Sequence, residues 1–291
     1  MDIEIVQGKD LEFIAPPLKH RGDGIAFKNF FRGEDGTPEN YYLALARQGD
    51  FYSPRHRHNF DQFRYAVRND VSISPEMLLH EGELCYHPEA VHYGPQKDEG
   101  GDRDVLVLQF GGASGQGYLS FDQLATAQAA LKEKGRFEGG RYYAENDGDA
   151  SEGKDGYESL WEYFNHRPLV YAEPRFDKPV IVKPKSFAWK PYTHAGKGIF
   201  RKTLGVFTER ETCVQIVQIV AGHEWLVRAQ DATQLLYVLQ GKGVGSQPEA
   251  GGRVVTFQEE SAIRLTRNTH DVALSADTDV EVLQIILPTL S

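Results

Sequence analysis

The sequence predicts an all-β protein built from two β units with a helical connection between them. Three observations carry that reading. Short apolar runs rich in β-branched and aromatic residues recur along the chain, each bounded by Gly, Pro or Asp. The one extended helical pattern falls in the middle, at "SFDQLATAQAALKEKG" (120–135). The two flanking stretches also align with each other, which points to an internal repeat of a unit of roughly a hundred residues.

The candidate strands include "YYLALA" (41–46), "DVLVLQF" (104–110), "CVQIVQIVA" (213–221), "QLLYVLQG" (234–241) and "VEVLQIILP" (280–288). Their lengths and composition fit an antiparallel sandwich or barrel. Period-2 alternation is visible in "CVQIVQIV" and around the histidine pair of "RHRHNFDQFRY" (55–65). In the central helix Leu124, Ala127 and Leu131 share a face, Ser120 or Asp122 is placed to cap its start, and Gly135 to end it. The following "RFEGGRYYAENDGDASEGKDG" (136–156) is polar and glycine-rich, which predicts a loop, and "YESLWEYFNHRP" (157–168) predicts a second short helix ended by Pro168. The expected division is an N-terminal barrel over 1–112, a helical and loop connection over 113–178, and a C-terminal barrel over 179–291.

Aligning Tyr65 with Tyr237 places Gln62 on Gln234, His58 on Gln230, His56 on Arg228 and His92 on His270. The second copy has lost the histidine pair. A metal-free barrel is expected there, with His270 in a structural role.

Composition narrows the function. The chain has 291 residues, 25 % charged and 40 % hydrophobic, with a net charge of −10. That acidic balance argues against non-specific nucleic-acid binding, which needs clustered Lys and Arg. Two distant cysteines, Cys85 and Cys213, form neither a disulfide framework nor a zinc motif. No run approaches the roughly 18 apolar residues that span a bilayer, and no signal peptide is evident, so a cytoplasmic protein without a membrane partner is expected. "FGGASGQGYLS" (110–120) fails as a dinucleotide fingerprint because Ser120 occupies the third glycine position. The acidic stretch 147–155 lacks calcium-loop spacing. Trp161, Trp189 and Trp225 are expected to serve packing.

The chemistry concentrates around the histidine pair. Side chains at i and i+2 of a strand share a face, so His56 and His58 point the same way. If "NFD" bends, Gln62 and Arg64 return to that face. His92, in "GELCYHPEAVHYG" (82–94), would complete a facial set of three imidazoles that suits Fe, Ni, Cu or Zn and leaves positions open. A buried Arg64 has two solutions: an internal carboxylate partner, or a substrate carboxylate met by its fork. Tyr42, Tyr65 and Tyr93 lie near these positions, each open to core packing or to substrate hydrogen bonding.

These residues carry a resemblance to the cupins. The first motif is Gly49, "DFYSPR", His56, Arg57, His58, "NFD" and Gln62; the second is Gly82, "ELCYH", Pro88, "EAV" and His92. The spacer after Pro88 is one residue shorter than the common form, and its usual glycine is absent. With the degenerate copy at 222–272, the whole chain is similar to a bicupin. The resemblance implies two jelly-roll barrels and one divalent metal held by His56, His58 and His92. His87 lies in the same block, but His92 occupies the family's position after Pro88; His80 falls in a loop. Gln62 stands where the family's metal-binding Glu would be, open to ligating metal, binding substrate or holding a water. Loss of that anion favours an anionic or chelating substrate.

Cupins with three histidines and no Glu include Fe(II) dioxygenases. The expected function is therefore a mononuclear non-haem Fe(II) dioxygenase acting on a small anionic or aromatic metabolite, with Arg64 as the catalytic-site residue that orients it. The alternatives are a Zn-, Ni- or Mn-dependent lyase, isomerase or hydrolase of a small acid, and a non-catalytic small-molecule-binding cupin. The expected partner is a small-molecule substrate; a homodimer is left open.

Overall fold

A computed structural model of the chain describes residues 3–16, 24–145, 152–247, 254–267 and 270–287. In chain order the first strands are β1 (Glu4–Gln7), β2 (Ile25–Arg32), β3 (Tyr41–Gln48), β4 (Phe51–Ser53), β5 (Phe60–Arg68), β6 (Val71–Ser74), β7 (Met77–Leu79), β8 (Leu84–His87), β9 (Gln96–Asp98) and β10 (Arg103–Gly111). Helix α1 (Phe121–Lys132), strands β11 (Gly135–Glu138), β12 (Arg141–Ala144) and β13 (Lys154–Asp155), and helix α2 (Gly156–Asn165) follow. The chain continues through β14 (Val180–Val182), β15 (Lys190–Pro191), β16 (Ile199–Phe207), β17 (Thr212–Ile219), β18 (Glu224–Val227) and β19 (Gln234–Gln240). It closes with β20 (Lys242–Ser246), β21 (Val255–Gln258), β22 (Ser261–Leu265), β23 (Val272–Ala276) and β24 (Val280–Ile286).

The architecture is all-β, with two jelly-roll barrels and a helical segment between them in sequence. One barrel has a sheet of order β14-β8-β5-β10-β3-β2; the other has β1-β22-β19-β24-β17-β16-β15. Pairing β5 with β19, as the Tyr65–Tyr237 alignment requires, sets every remaining strand of the first sheet onto its counterpart in the second, with β15 added at one edge. The opposing walls are the pairs β4-β9 and β6-β7 in one barrel and the sheet β18-β23-β20-β21 in the other. Strands such as β3 and β10 read as unbroken apolar runs because both of their faces are covered. Ala44, Ala46, Val105 and Val107 join Ala66, Cys85 and Tyr93 in one core, while Leu43, Leu45, Leu106 and Leu108 on the reverse face are buried as well.

The chain divides into two compact units, Phe13–Ile181 and Met1–Glu12 with Val182–Ser291. This moves two of the boundaries expected from sequence. Strand β1 pairs with β22, from Glu4 opposite Arg264 to Gln7 opposite Ser261, so the first residues belong with the C-terminal barrel rather than the N-terminal one. Ile3 enters that barrel's core, and Arg264 bonds Glu4 at 2.5 Å. The helical segment, for its part, is packed into the N-terminal unit. Leu124, Ala127 and Leu131 of α1 and Leu160 and Trp161 of α2 share a core with Phe60 and Tyr118.

Ser120 caps α1 through a reciprocal pair of bonds with Gln123, and the predicted apolar face is the buried one. Gly135 opens β11 rather than ending the helix. The loop expected over 136–156 is largely a small sheet. Gly139 and Gly140, at φ +56° and +80°, make the two-residue turn that joins β11 to β12, a conformation that needs residues without a Cβ. Residues 147–151 of the acidic stretch lie outside the described residues. Asp155 caps α2, and His166 in the left-handed region ends it two residues before Pro168. Trp161 and Trp225 are buried in the two cores, and Lys202 lies over the Trp189 ring. No helix among the described residues is long and apolar enough to cross a membrane.

Candidate functional site in the N-terminal barrel

The site forms where β5 and β8 run side by side. Residues directly opposite each other in an antiparallel pair present their side chains to the same face. The register sets Gln62 opposite His87 and Arg64 opposite Cys85, and these four face the barrel interior with Ala66 and Val107. A second pairing brings in the histidine stretch. His56 and Tyr93 bond each other's backbone in both directions, each at 3.0 Å. Their side chains therefore also share a face.

Tyr93 sits at the centre of the cluster. Its ring lies 4.4 Å from that of His56, 4.5 Å from His87 and 5.8 Å from His58, centroid to centroid. Arg64 Nε donates to Gln62 Oε1, and its Nη2 lies 3.4 Å from Tyr93 Oη. Tyr93 Oη is in turn 3.3 Å from His58 Nδ1. A polar chain thus runs from Gln62 through Arg64 and Tyr93 to His58. The His58 ring stacks on Phe60 at 4.3 Å and meets Tyr157 of α2 edge-on, and Tyr157 Oη donates to Asn59 at 2.7 Å. Helix α2 is thereby fastened beside the histidines.

Four of the five residues singled out from sequence, His56, His58, Gln62 and Arg64, come together here. His92 does not. It is exposed, and it lines a separate cavity with Arg55 and Lys178. The reason is strand parity. Tyr93 pairs with His56 and points inward, so its neighbour His92 points outward. The apparently short spacer after Pro88 has the same origin. Ala90 takes the left-handed conformation, φ +66°, at the position where the motif's glycine is missing. Counted from there, the spacer is complete and ends on Tyr93. The interior residues that sequence reasoning passed over are His87, set aside in favour of His92, and Tyr93 in its central role. The alternation Cys85, His87 opposite Arg64, Gln62 was the available signal. Of the other tyrosines, Tyr65 lies on the reverse face with Phe63, and Tyr42 bonds Asn29 and packs on Phe121.

The electrostatics of this interior are unusual. His87 Nδ1 and Nε2, Gln62 Nε2 and Arg64 Nη1 are buried without a hydrogen-bond partner among the described residues. Buried polar groups are normally paired, so four together need an explanation. Burial, then the nearby Arg64 charge, holds the His87 imidazole well below its usual pKa, so it is neutral at physiological pH. Burial pushes the Cys85 thiol up to about 12, against the pull of Arg64, so it is not a nucleophile. Among the described residues no carboxylate lies in salt-bridge range of Arg64; Asp98 feels its charge but bonds the Ser72 backbone, and burial raises its pKa.

The donor set can be tested against a metal. His56 Nδ1 bonds the Pro54 carbonyl at 2.6 Å. A carbonyl only accepts, so Nδ1 carries the proton and Nε2 the lone pair, the tautomer of metal-binding histidines. His58 lies beside it, ring centroids 4.9 Å apart. A third ligand is the difficulty. His92 faces away, and the Tyr93 ring lies against both His56 and His87. Among the described residues no three His, Cys, Asp or Glu side chains are grouped to hold a metal ion. The expected triad of His56, His58 and His92 does not fit.

The C-terminal barrel treats the same positions differently. Gln215 donates to Gln284 at 2.6 Å, Gln284 to Gln234 at 2.7 Å, and Gln234 to the Arg228 carbonyl at 2.7 Å. Arg228 pairs with Asp271 at 2.6 Å, and His270 is exposed. The glutamine chain is closed on itself and leaves nothing in it for a ligand to complete.

No family model and no curated protein sequence matches the chain. Solved structures do. A candidate dioxygenase from Nostoc punctiforme is 11 % identical with a TM-score of 0.64, over 100 % of this chain and 84 % of its own. Oxalate decarboxylase of Bacillus subtilis, studied for its Mn(II) centres, is 12 % identical with a TM-score of 0.57, over 99 % and 78 %. Streptomyces albus HEPD, with 2-hydroxyethylphosphonate and Fe(II) bound, is 13 % identical with a TM-score of 0.57, over 99 % and 77 %. At these identities the likeness is one of fold.

Proposed function

We propose that the N-terminal barrel binds a small anionic metabolite in its interior, on Arg64, Gln62, His87 and Tyr93. The carrying observation is the buried Arg64 guanidinium, which among the described residues has no carboxylate partner and keeps Nη1 unsatisfied beside the open nitrogens of Gln62 and His87. Arginine meets a carboxylate or phosphonate with two parallel bonds, and a neutral imidazole can donate or accept beside it. Two fold neighbours support an anionic class of ligand, one named for oxalate and one holding 2-hydroxyethylphosphonate. The test is thermal unfolding against a panel of small mono- and dicarboxylates and phosphonates. A saturable rise in Tm that is absent in Arg64→Met supports the reading. No shift with any acid overturns it.

A second reading is a divalent metal enzyme, favoured by the His56 tautomer and the adjacent His58. On the resemblance, this would be an Fe(II) dioxygenase of a small acid, or a Zn-, Ni- or Mn-dependent lyase, isomerase or hydrolase. Metal analysis of anaerobically purified protein decides it. Stoichiometric iron with acid-dependent O2 uptake supports the dioxygenase; substoichiometric metal leaves a small-molecule-binding cupin.

A further inference from the structure

The parity that turns His92 away from the barrel interior places it somewhere specific. A cavity of about 290 Å³ has Arg55, His92 and Lys178 in its lining, with Ser74, Glu76 and a face of Tyr93. That volume is at the lower end of small-molecule pockets. Three basic side chains converge there in a chain whose net charge is −10. The backbone explains the convergence. The His56–Tyr93 bridge sets Arg55 across from Gly94, whose φ is +89°. A Cβ on Gly94 would stand 3.1 Å from the Pro54 carbonyl and 3.3 Å from Arg55 Cα, so the two segments approach as closely as they do because position 94 has no side chain.

Among the described residues, none of Arg55, His92, Lys178 and Glu76 takes part in a hydrogen bond or ion pair. Elsewhere in this unit arginines are committed: Arg47 and Arg68 to Asp104, and Arg175 to Glu89. Around this cavity, by contrast, burial and then the like charges of Arg55 and Arg57 lower the pKa of His92, with Asp155 acting in the opposite direction. With Arg55 and Lys178 against the single carboxylate Glu76 in its lining, the cavity carries an excess of positive charge, which raises the local potential and favours an anion.

We propose that this cavity is a second binding site, for a small molecule bearing a doubly charged oxyanion, as in a phosphate monoester or a dicarboxylate. Arg55 and Lys178 supply the charge, His92 and Ser74 supply hydrogen bonds, and Glu76 sets a limit on how much negative charge is accepted. The site is distinct from the polar cluster of Gln62, Arg64 and His87, and shares Tyr93, Ile73 and Met77 with the barrel core.

The test is calorimetric titration of the full chain with inorganic phosphate and, separately, with malonate, at low and at physiological salt. Saturable binding is expected, weaker at the higher salt. The variant carrying Arg55→Gln and Lys178→Gln should bind about tenfold more weakly, and Glu76→Gln about threefold more tightly. These side chains are at the surface, and circular dichroism checks that the variants are folded. The titrations are run in the Arg64→Met background, which removes the interior anion site, and the saturable binding described here should persist there. Preference for phosphate or for malonate identifies the source of the oxyanion. Absence of saturable binding, or equal affinity in the double variant, overturns the site. Loss of binding in Arg64→Met would also overturn it, by placing the anion in the barrel interior.

Discussion

Replacing Arg64 by methionine separates a functional arginine from a structural one. The side chain is buried, 9 % exposed, and among the described residues its charge has no carboxylate in salt-bridge range. An unpaired charge taken out of water costs several kcal/mol even after relaxation. Methionine keeps much of the stem's volume without the charge. Against that gain, Gln62 Oε1 loses its donor, at about 1–3 kcal/mol. The ligand-free variant should therefore be more stable than the wild type by about 1–2 kcal/mol, which for a unit of this size raises Tm by roughly 2–8 °C. With an anion at a hundred times its Kd, the wild type gains about 2.7 kcal/mol and the variant nothing. The order of stability then inverts. Thermal and urea unfolding with and without the best acid of the panel measure both halves. A loss of about 3–5 kcal/mol in the ligand-free variant would refute the reasoning, because that is the signature of breaking a buried ion pair.

Other predictions follow from particular contacts. Burial raises the pKa of Asp104, but hydrogen bonds from Arg47 and Arg68 at 2.8 Å outweigh it and leave the pKa below its ordinary 3.8. A lowered carboxyl pKa stabilises the fold above the ordinary value, and the contribution is lost as pH falls through the folded value. Asp104→Asn should accordingly cost about 1–3 kcal/mol at neutral pH and little in strong acid, read from urea midpoints across pH. Gln284→Leu leaves Gln215 Nε2 and Gln234 Oε1 without partners in the C-terminal barrel and should cost about 2–5 kcal/mol, with no change in acid binding. Ser120→Ala removes the α1 cap and should cost about 1 kcal/mol, seen as a lower Tm.

The strands were legible where composition and period agreed. "DVLVLQF" and "CVQIVQIV" could be little else, and α1 showed both its cap and its face. The candidate site was legible only up to a parity. His56 and His58 are two apart on one segment, so their common face follows from local geometry. The third inward residue depends on a turn whose length must be counted. Ala90 adopts a left-handed φ without being glycine, so the turn's usual marker was missing. One residue of error then exchanges inside for outside, as any register slip does. His92 and His87 traded places for that reason alone. The β11–β12 hairpin was hidden differently: charged residues on both strands masked a two-glycine turn. The pairing of β1 with β22 joins positions more than 250 residues apart, and no local pattern announces such a contact.

The two barrels offer a comparison within one chain. They share a strand order, and Gln62 and Gln234 occupy matching places on β5 and β19. Around Gln234 the neighbouring glutamines and a backbone carbonyl join it in a continuous chain. Around Gln62 the neighbours are Arg64 and His87, and among the described residues Gln62 Nε2 and three of their nitrogens find no acceptor or donor. A barrel of this topology is therefore able to close a polar chain at this level, as the C-terminal one shows. Stability alone would favour the closed arrangement, since each unsatisfied buried group costs about 1–3 kcal/mol. The N-terminal barrel gathers four of its open nitrogens on one wall, around a single tyrosine and with the Arg64 charge among them. Open groups placed by chance would not gather on one face, whereas a ligand that completes them requires it.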